Sequence, residues 1–208
     1  MSSKSDSLKQ FWHTLARGRD LLARGVPVAV PSETVYGLAA RIDMPEAIAQ
    51  IFRVKSRPSF DPLIVHVADV RQVHELASQF SVSAQKLAKE FWPGPLTLVL
   101  PRKQTMNPMI SAGLDTVGIR CPAHPVFRRL IREVGVPLAA PSANKFGKTS
   151  PTTAAHVGLS WTQAEVFVVD GGASEIGIES TVVQIVERGG SEVLLILRPG
   201  MITAEALQ

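Results

Sequence analysis

A single cysteine, Cys121, occurs in 208 residues, which excludes an intramolecular disulfide and any cysteine-rich zinc site and fits a reducing compartment. Tyrosine is equally scarce, with Tyr36 the one example. No apolar run approaches the ~18 residues that span a bilayer, and residues 1–9 are polar, without a cleavable apolar segment. A soluble, unexported, cytoplasmic chain is expected. Charge of one sign is lacking too: 22 Lys and Arg against 18 Asp and Glu leave a surplus of +4, which excludes a disordered polyelectrolyte or a histone-like tail. A mildly basic enzyme and a nucleic-acid binder both stay open. No low-complexity tract, internal repeat or Ser/Gly linker marks a boundary, and 45% hydrophobic content suffices for a sizeable core, so one compact domain over 1–208 is expected.

Common catalytic signatures are also missing. Gly147-Lys148-Thr149 resembles the end of a phosphate-binding P-loop, but the glycine required five positions earlier is Ser142. Neither G-x-G-x-x-G nor G-x-S-x-G occurs. His13, His66, His74, His124 and His156 show neither H-E-x-x-H nor close ligand spacing, so no protein-held metal is expected.

Hydrophobic periodicity carries the fold. Leu8, Phe11, Trp12, Leu15 and Leu22 recur at helical spacing behind Ser5 and Asp6, which can cap a helix that Gly25 then ends. Apolar runs predict eight strands, over 26–30, 63–67, 96–100, 116–121, 137–140, 166–170, 181–186 and 193–197. Helix-like stretches lie at 45–54, 70–80, 83–91, 125–134 and 152–160. Early alternation favours parallel pairing, whereas Arg188-Gly189-Gly190 reads as a hairpin turn, so the expectation is an α/β fold with a mixed parallel and antiparallel sheet.

Polar residues cluster after the strands. Residues 31–38, P-S-E-T-V-Y-G-L, follow the first strand, where α/β sheets present ligand groups, although a capped strand-to-helix turn explains them equally. Extended backbone before Pro58 would send Lys55 and Arg57 to one side as an anion grip; the alternative is a solvated face. His66 sits in an apolar strand and fits a satisfied core histidine. Arg120 also lies inside an apolar run, and a buried guanidinium must find an acid partner or an anionic ligand. Cys121 reads as a small buried side chain. Ser142 and Asn144, two apart, offer hydroxyl and amide groups to one spot or form a capped turn. Ser180 and Thr181 open one strand and Arg198 closes another. Cations and hydroxyls in several loops, with no nucleophile–base pair, suit a site that positions a polyanion.

These segments resemble the YrdC/Sua5 family of threonylcarbamoyl-AMP synthases. The likeness covers about 26–207 through P-S-E-T-V-Y-G-L, K-S-R-P with P-L-I-V-H-V, W-P-G-P-L-T, G-I-R-C-P, P-S-A-N, G-I-E-S-T-V-V and R-P-G. It implies a twisted mixed sheet with a basic concave groove. It also implies an ATP-dependent nucleotidyltransferase that joins L-threonine, bicarbonate and ATP into threonylcarbamoyl-AMP and pyrophosphate, for the t6A base of tRNA. Lys55 and Arg57 then become the catalytic cations and, with Ser142 and Asn144, surround the phosphates. Thr34, Tyr36, His66, Arg120 and Ser180 become threonine-side contacts, with Arg120 on the carboxylate, and Thr116, Ser150 and Arg198 nucleotide-side contacts. Mg2+ would arrive with the ATP, and the product would pass to a separate tRNA transferase. Asp61 departs from the family's asparagine before Pro-Leu, and its carboxylate would repel phosphate unless a cation holds it. The short stretch after R-P-G resembles the form without the additional C-terminal Sua5 domain. The competing readings are a module with weak RNA affinity, disfavoured because twelve aromatics mostly sit in apolar runs, and a paralogue with a different acyl substrate.

Overall fold

The computed structural model describes residues 2–207. Helix α1 (Ser2–Ala23) ends just before Gly25, whose φ of +80° supplies a left-handed turn that a side chain would resist. Ser5 and Asp6 lie inside its first turns rather than at its cap, since no Gly or Pro near them stops the helix from starting earlier.

Nine strands follow: β1 (Val28–Val30), β2 (Gly37–Arg41), β3 (Ile64–His66), β4 (Leu96–Pro101), β5 (Thr116–Arg120), β6 (Leu138–Ala139), β7 (Phe167–Val168), β8 (Thr181–Arg188) and β9 (Ser191–Arg198). They form one sheet in the order β7-β1-β2-β6-β3-β5-β4-β8-β9. Pairs β1/β7, β3/β5 and β4/β8 are parallel and the other five antiparallel, so the sheet is mixed as expected. Gly189 and Gly190, at φ of +59° and +79°, turn β8 into β9.

Strand β2 is the element the sequence pattern misses. G-L-A-A-R has no β-branched residue, yet burial between β1 and β6 recruits it, and its alanines suit that crowded place. It returns antiparallel to β1, so residues 31–36 form a strand-to-strand crossing rather than the entry to a helix. The helix expected over 70–80 shrinks to a 3-10 turn and α3 (Val73–Leu76). Ala77 leaves in extended backbone to bridge Arg102 at the end of β4. Helices α2 (Pro45–Lys55), α4 (Val82–Phe91) and α5 (Pro125–Val134) stand near their predicted bounds, whereas α6 (Ala154–Gly158) is a short capped turn.

Period-two alternation divides the sheet into two faces. Val65, Leu96, Leu98, Val117, Ile119 and Val183 point to one core, which Ile48 and Ile51 of α2 and Ala84 and Ala88 of α4 close. The opposite face is covered only in part. Leu15 and Leu22 of α1, with Phe127, Leu130 and Ile131 of α5, pack over Val28, Val30, Ala39 and Leu138. Beyond Phe127 the helices stop, and the same face of β3, β5, β4 and β8 floors an open groove with Ile64, His66, Thr116, Gly118, Arg120, Thr97, Val99, Val182 and Gln184. Half a sheet face left without a helix is what creates the site. Among the described residues, no helix is long and apolar enough to cross a membrane.

Gly200 holds the far wall in place. A Cβ there would stand 2.6 Å from the Glu179 carbonyl oxygen and 2.7 Å from the Ser180 carbonyl carbon, and would also strike the Thr181 amide nitrogen. Gly200→Ala should therefore cost on the order of 2 kcal/mol and lower the thermal midpoint by several degrees. Gly158→Ala, at a helix end with open space around it, should leave the midpoint unchanged or slightly raised. Thermal unfolding of the two variants side by side checks both directions.

Candidate active site

The groove has a volume of about 550 Å³, and its lining carries Arg57, Arg120 and Arg198. Each guanidinium faces a carboxylate. Arg57 Nη2 lies 2.9 Å from Asp61 Oδ1, Arg120 Nη2 lies 2.6 Å from Glu33 Oε1, and Arg198 Nη2 lies 3.6 Å from Glu179 Oε2. Burial lowers the pKa of Arg57 and Arg198 from its usual value, but an arginine stays charged in any protein setting. The groove is thus a set of paired charges, and Asp61, whose charge looked adverse to phosphate, is held by Arg57.

Arg120 is the most tightly framed. It follows Ile119 on β5, so alternation turns it to the groove, and its register partner on β3 is His66. Its Nε donates to the Gly94 carbonyl at 3.2 Å, its Nη1 to Thr34 Oγ1 at 2.9 Å, and its Nη2 to Glu33. Gly94 belongs to the turn of residues 92–95, which includes a cis Trp92-Pro93 bond and is tied down by Gly94 N donating to the Cys121 carbonyl at 2.8 Å. The required acid partner is Glu33. Burial pushes the Glu33 carboxyl up, but the Arg120 charge and hydrogen bond outweigh it and hold the pKa below the ordinary carboxylate range.

Thr34, wholly buried, donates to Ser32 Oγ at 2.9 Å, because the Ser32 hydroxyl is already committed to the Val35 carbonyl at 2.5 Å. His66 stacks on Phe127 with ring centroids 4.8 Å apart, and its Nδ1 finds no partner among the described residues. Full burial, aided by Arg120, drives the His66 pKa well below 6.5, so the ring is neutral. Ser180 Oγ lies 2.8 Å from Thr97 Oγ1 and accepts from Arg198 Nη2 at 2.9 Å, while Arg198 Nε and Nη2 also reach the Ser180 carbonyl. Thr116 and Ser142 line the groove as well.

Four expected site residues do not line it. Lys55 is not in extended backbone: it ends α2, and Ser56 follows in the left-handed region at φ +50°. Its Nζ donates to the Ser142 carbonyl at 2.7 Å and to the Asn144 carbonyl, and only 1% of the residue is exposed. Burial, with the Arg57 charge adding to it, pushes its pKa down to about 8. Arg57 alone of the pair reaches the groove. Tyr36 points away, its hydroxyl donating to the Gly172 carbonyl at 2.7 Å and accepting from Gly171 N at 3.2 Å; burial pushes its pKa up to about 12. Asn144 Nδ2 donates to the Lys145 and Lys148 carbonyls, which ties the loop to itself. Ser150 Oγ donates to Glu179 Oε1 at 2.7 Å, one step behind the lining.

Glu33, Glu179, Thr97 and Gly118 are site residues that the sequence reading passed over. The demand of a buried arginine for an acid was the signal for Glu33, which lies between the hydroxyls of Ser32 and Thr34. Nothing local distinguishes Thr97 or Gly118, since both matter only because of the strands beside them. Among the aromatics, Phe60 and Phe146 are exposed at 78% and 45%.

A family-wide sequence profile for Sua5, YciO and YrdC, described as telomere recombination, matches residues 20–200. The chain is 46% identical over 205 residues to the threonylcarbamoyl-AMP synthase of Bacillus subtilis (strain 168), covering 98% of this chain and 58% of that protein. With the threonylcarbamoyl-AMP synthase of Pyrococcus abyssi it shares 44% identity over 187 residues, covering 90% and 54% of the two chains. The chain thus spans about half the length of these curated relatives. A crystal structure of P. abyssi Sua5 complexed with L-threonine superposes with a TM-score of 0.87 at 42% identity, covering 94% of this chain and 56% of that one. Escherichia coli YciO shares the fold at a TM-score of 0.79 and 17% identity, covering 93% and 92% of the two chains.

Two outcomes follow from the buried groups. Lys55→Ala leaves two carbonyls without their donor, at about 1–3 kcal/mol each, so urea denaturation should give a clearly lower midpoint. An unchanged midpoint would return Lys55 to a purely ligand-directed role. For His66, the unfolded chain takes up a proton near pH 6.5 while the folded state refuses it. Stability is therefore complete above 6.5 and falls as the pH drops below that value. Thermal midpoints recorded between pH 7.5 and 5 should decline, and His66→Leu should show a shallower decline.

Proposed function

The chain belongs to the Sua5/YciO/YrdC family, and from that premise we propose that it is an ATP-dependent nucleotidyltransferase forming threonylcarbamoyl-AMP and pyrophosphate from L-threonine, bicarbonate and ATP. The observation that carries this reading is one groove in which Arg57, Arg120 and Arg198 converge beside a neutral histidine and buried hydroxyls. Such a site can hold an amino-acid carboxylate and a polyphosphate at once, and among the described residues no hydroxyl lining it is hydrogen-bonded to a histidine or carboxylate base.

The chemistry needs no protein nucleophile. The threonine amine adds to bicarbonate, water leaves, and the resulting N-carboxylate oxygen attacks the α-phosphorus as the bond to pyrophosphate breaks. Positioning and charge stabilisation are the protein's tasks. Arg120, with Thr34 and His66 beside it, takes the threonine end. Neutral His66 borders that end without adding a second positive charge. Arg57, Thr116, Ser142 and Arg198 take the nucleotide end, with Arg57 against the phosphoryl oxygens. Lys55 acts indirectly, by fixing the 142–144 backbone against which the nucleotide lies. Magnesium would enter with the ATP, as part of the substrate. We place this reaction in the cytoplasm, on a single YrdC-like unit, with the product consumed by a separate tRNA transferase.

Incubation with MgATP, labelled bicarbonate and threonine should yield a labelled carbamoyl adenylate and pyrophosphate, with serine as the control amino acid. Pyrophosphate release that ignores threonine would sink the assignment. Arg57→Ala should slow the reaction by roughly two powers of ten, the usual consequence of losing one charged donor to a developing oxyanion.

A further inference from the structure

The Glu33–Arg120 pair stands between two cavities. Arg120 lines the groove and Glu33 does not; Glu33 lines a neighbouring cavity of about 850 Å³, together with Asp170, Glu175 and His124, and Arg120 does not. Both side chains are buried, at 4% and 6% exposure, and joined by a single 2.6 Å contact through Oε1. Glu33 Oε2 has no hydrogen-bond partner among the described residues. Arg120 places one N–H each on Gly94, Thr34 and Glu33, so two of the five guanidinium N–H groups stay uncommitted.

We propose that Glu33 is a resident counter-ion that occupies Arg120 in the empty protein and competes with the amino-acid carboxylate for its charge, thereby setting the affinity for threonine. This rests on the reading that Arg120 takes that carboxylate. A guanidinium buried this deeply cannot stand uncompensated, so an empty site must supply an anion of its own. The incoming carboxylate then binds to an arginine already neutralised once, and it meets the like charge of Glu33 across that guanidinium. Repulsion between two carboxylates sharing one cation weakens the second by a large factor at the effective dielectric of a partly buried site. Glu33 is therefore a positioning residue: it holds Arg120 flat against Thr34 and Gly94 while keeping amino-acid binding loose enough to exchange.

Glu33→Gln keeps the shape and one acceptor but removes the charge. The ligand-free variant should unfold several degrees lower than wild type, whereas its dissociation constant for L-threonine, measured by calorimetry on the full chain, should fall about tenfold or more. L-threonine amide, which has no carboxylate, should bind both proteins alike. A merely structural role would weaken both ligands together. Glu33→Asp, which keeps the charge but loosens the pair, should bind threonine modestly more tightly than wild type and well short of the Glu33→Gln affinity. A folded Glu33→Gln protein that binds threonine no more tightly than wild type overturns the proposal. Should Glu33→Gln fail to fold, Glu33→Asp decides: its shorter reach loosens the pair, so affinity modestly above wild type supports the proposal, and equal or weaker affinity overturns it. Wild-type protein that ignores threonine would remove the underlying reading instead, so the two failures are distinguishable.

Discussion

A buried guanidinium needs a counter-charge, and most of this site is organised around that need. Arg57, Arg120 and Arg198 come from a helix-end loop, a central strand and an edge strand, yet each has an acid at hand: Asp61 from the next turn, Glu33 from the first crossing and Glu179 from the approach to β8. The pairs differ in tightness. Arg120–Glu33 is closed off from solvent, while Arg198–Glu179 is longer and about a third exposed on each side. An anion can recruit Arg198 at little cost, because exposed pairs are weak, whereas Arg57, itself 13% exposed beside Asp61, lies between the two cases. Recruiting Arg120 means competing with a partner it cannot leave. Under the proposed function, the amino-acid end and the nucleotide end of the groove would thereby follow different rules of engagement.

The fold supplies the groove by omission. Alternation makes every strand two-sided, and α2 and α4 close the core on one side. On the other side α1 and α5 reach only as far as Phe127, which both caps their core and stacks on His66. The next three strands of that face carry Thr97, Thr116, Gly118, Arg120 and Gln184 where a covered sheet would carry valine and leucine. Gly118 keeps the floor low: a Cβ would come within 3.3 Å of Thr97 Cγ2 and 3.4 Å of Ile64 Cγ1. Composition of the strands and absence of a helix are thus the same fact seen at two levels.

Much of this was legible in the chain. The α/β class, the mixed sheet, the glycine hairpin and the motif-bearing loops follow from runs, turns and punctuation, which are local. What was lost is set by tertiary context. Strand β2 has alanines in place of β-branched residues because it is buried between two neighbours, and no local signal reports neighbours. Lys55 and Arg57 looked like a matched grip because Pro58 suggested extended backbone; the helix runs one residue further, Ser56 turns left-handed, and the two cations part. Tyr36 stands beside the site in sequence and points across the strand to Gly172. Arg120 was legible for a physical reason that holds at any distance, since a cation inside an apolar strand must be answered somewhere.

Lys55 shows why contact alone does not define a site. Its ammonium is spent on two carbonyls, but its lowered pKa responds to Arg57, Asp61 and Glu179, so it shares their electrostatic field. With a pKa of about 8, it is mostly protonated at neutral pH. Under the proposed function, a triphosphate beside Arg57 would add negative charge to that field and keep the ammonium protonated on the Ser142 and Asn144 carbonyls. The backbone wall that brings Ser142 to the groove is thus held by a charge that answers to the groove's own arginine and acids.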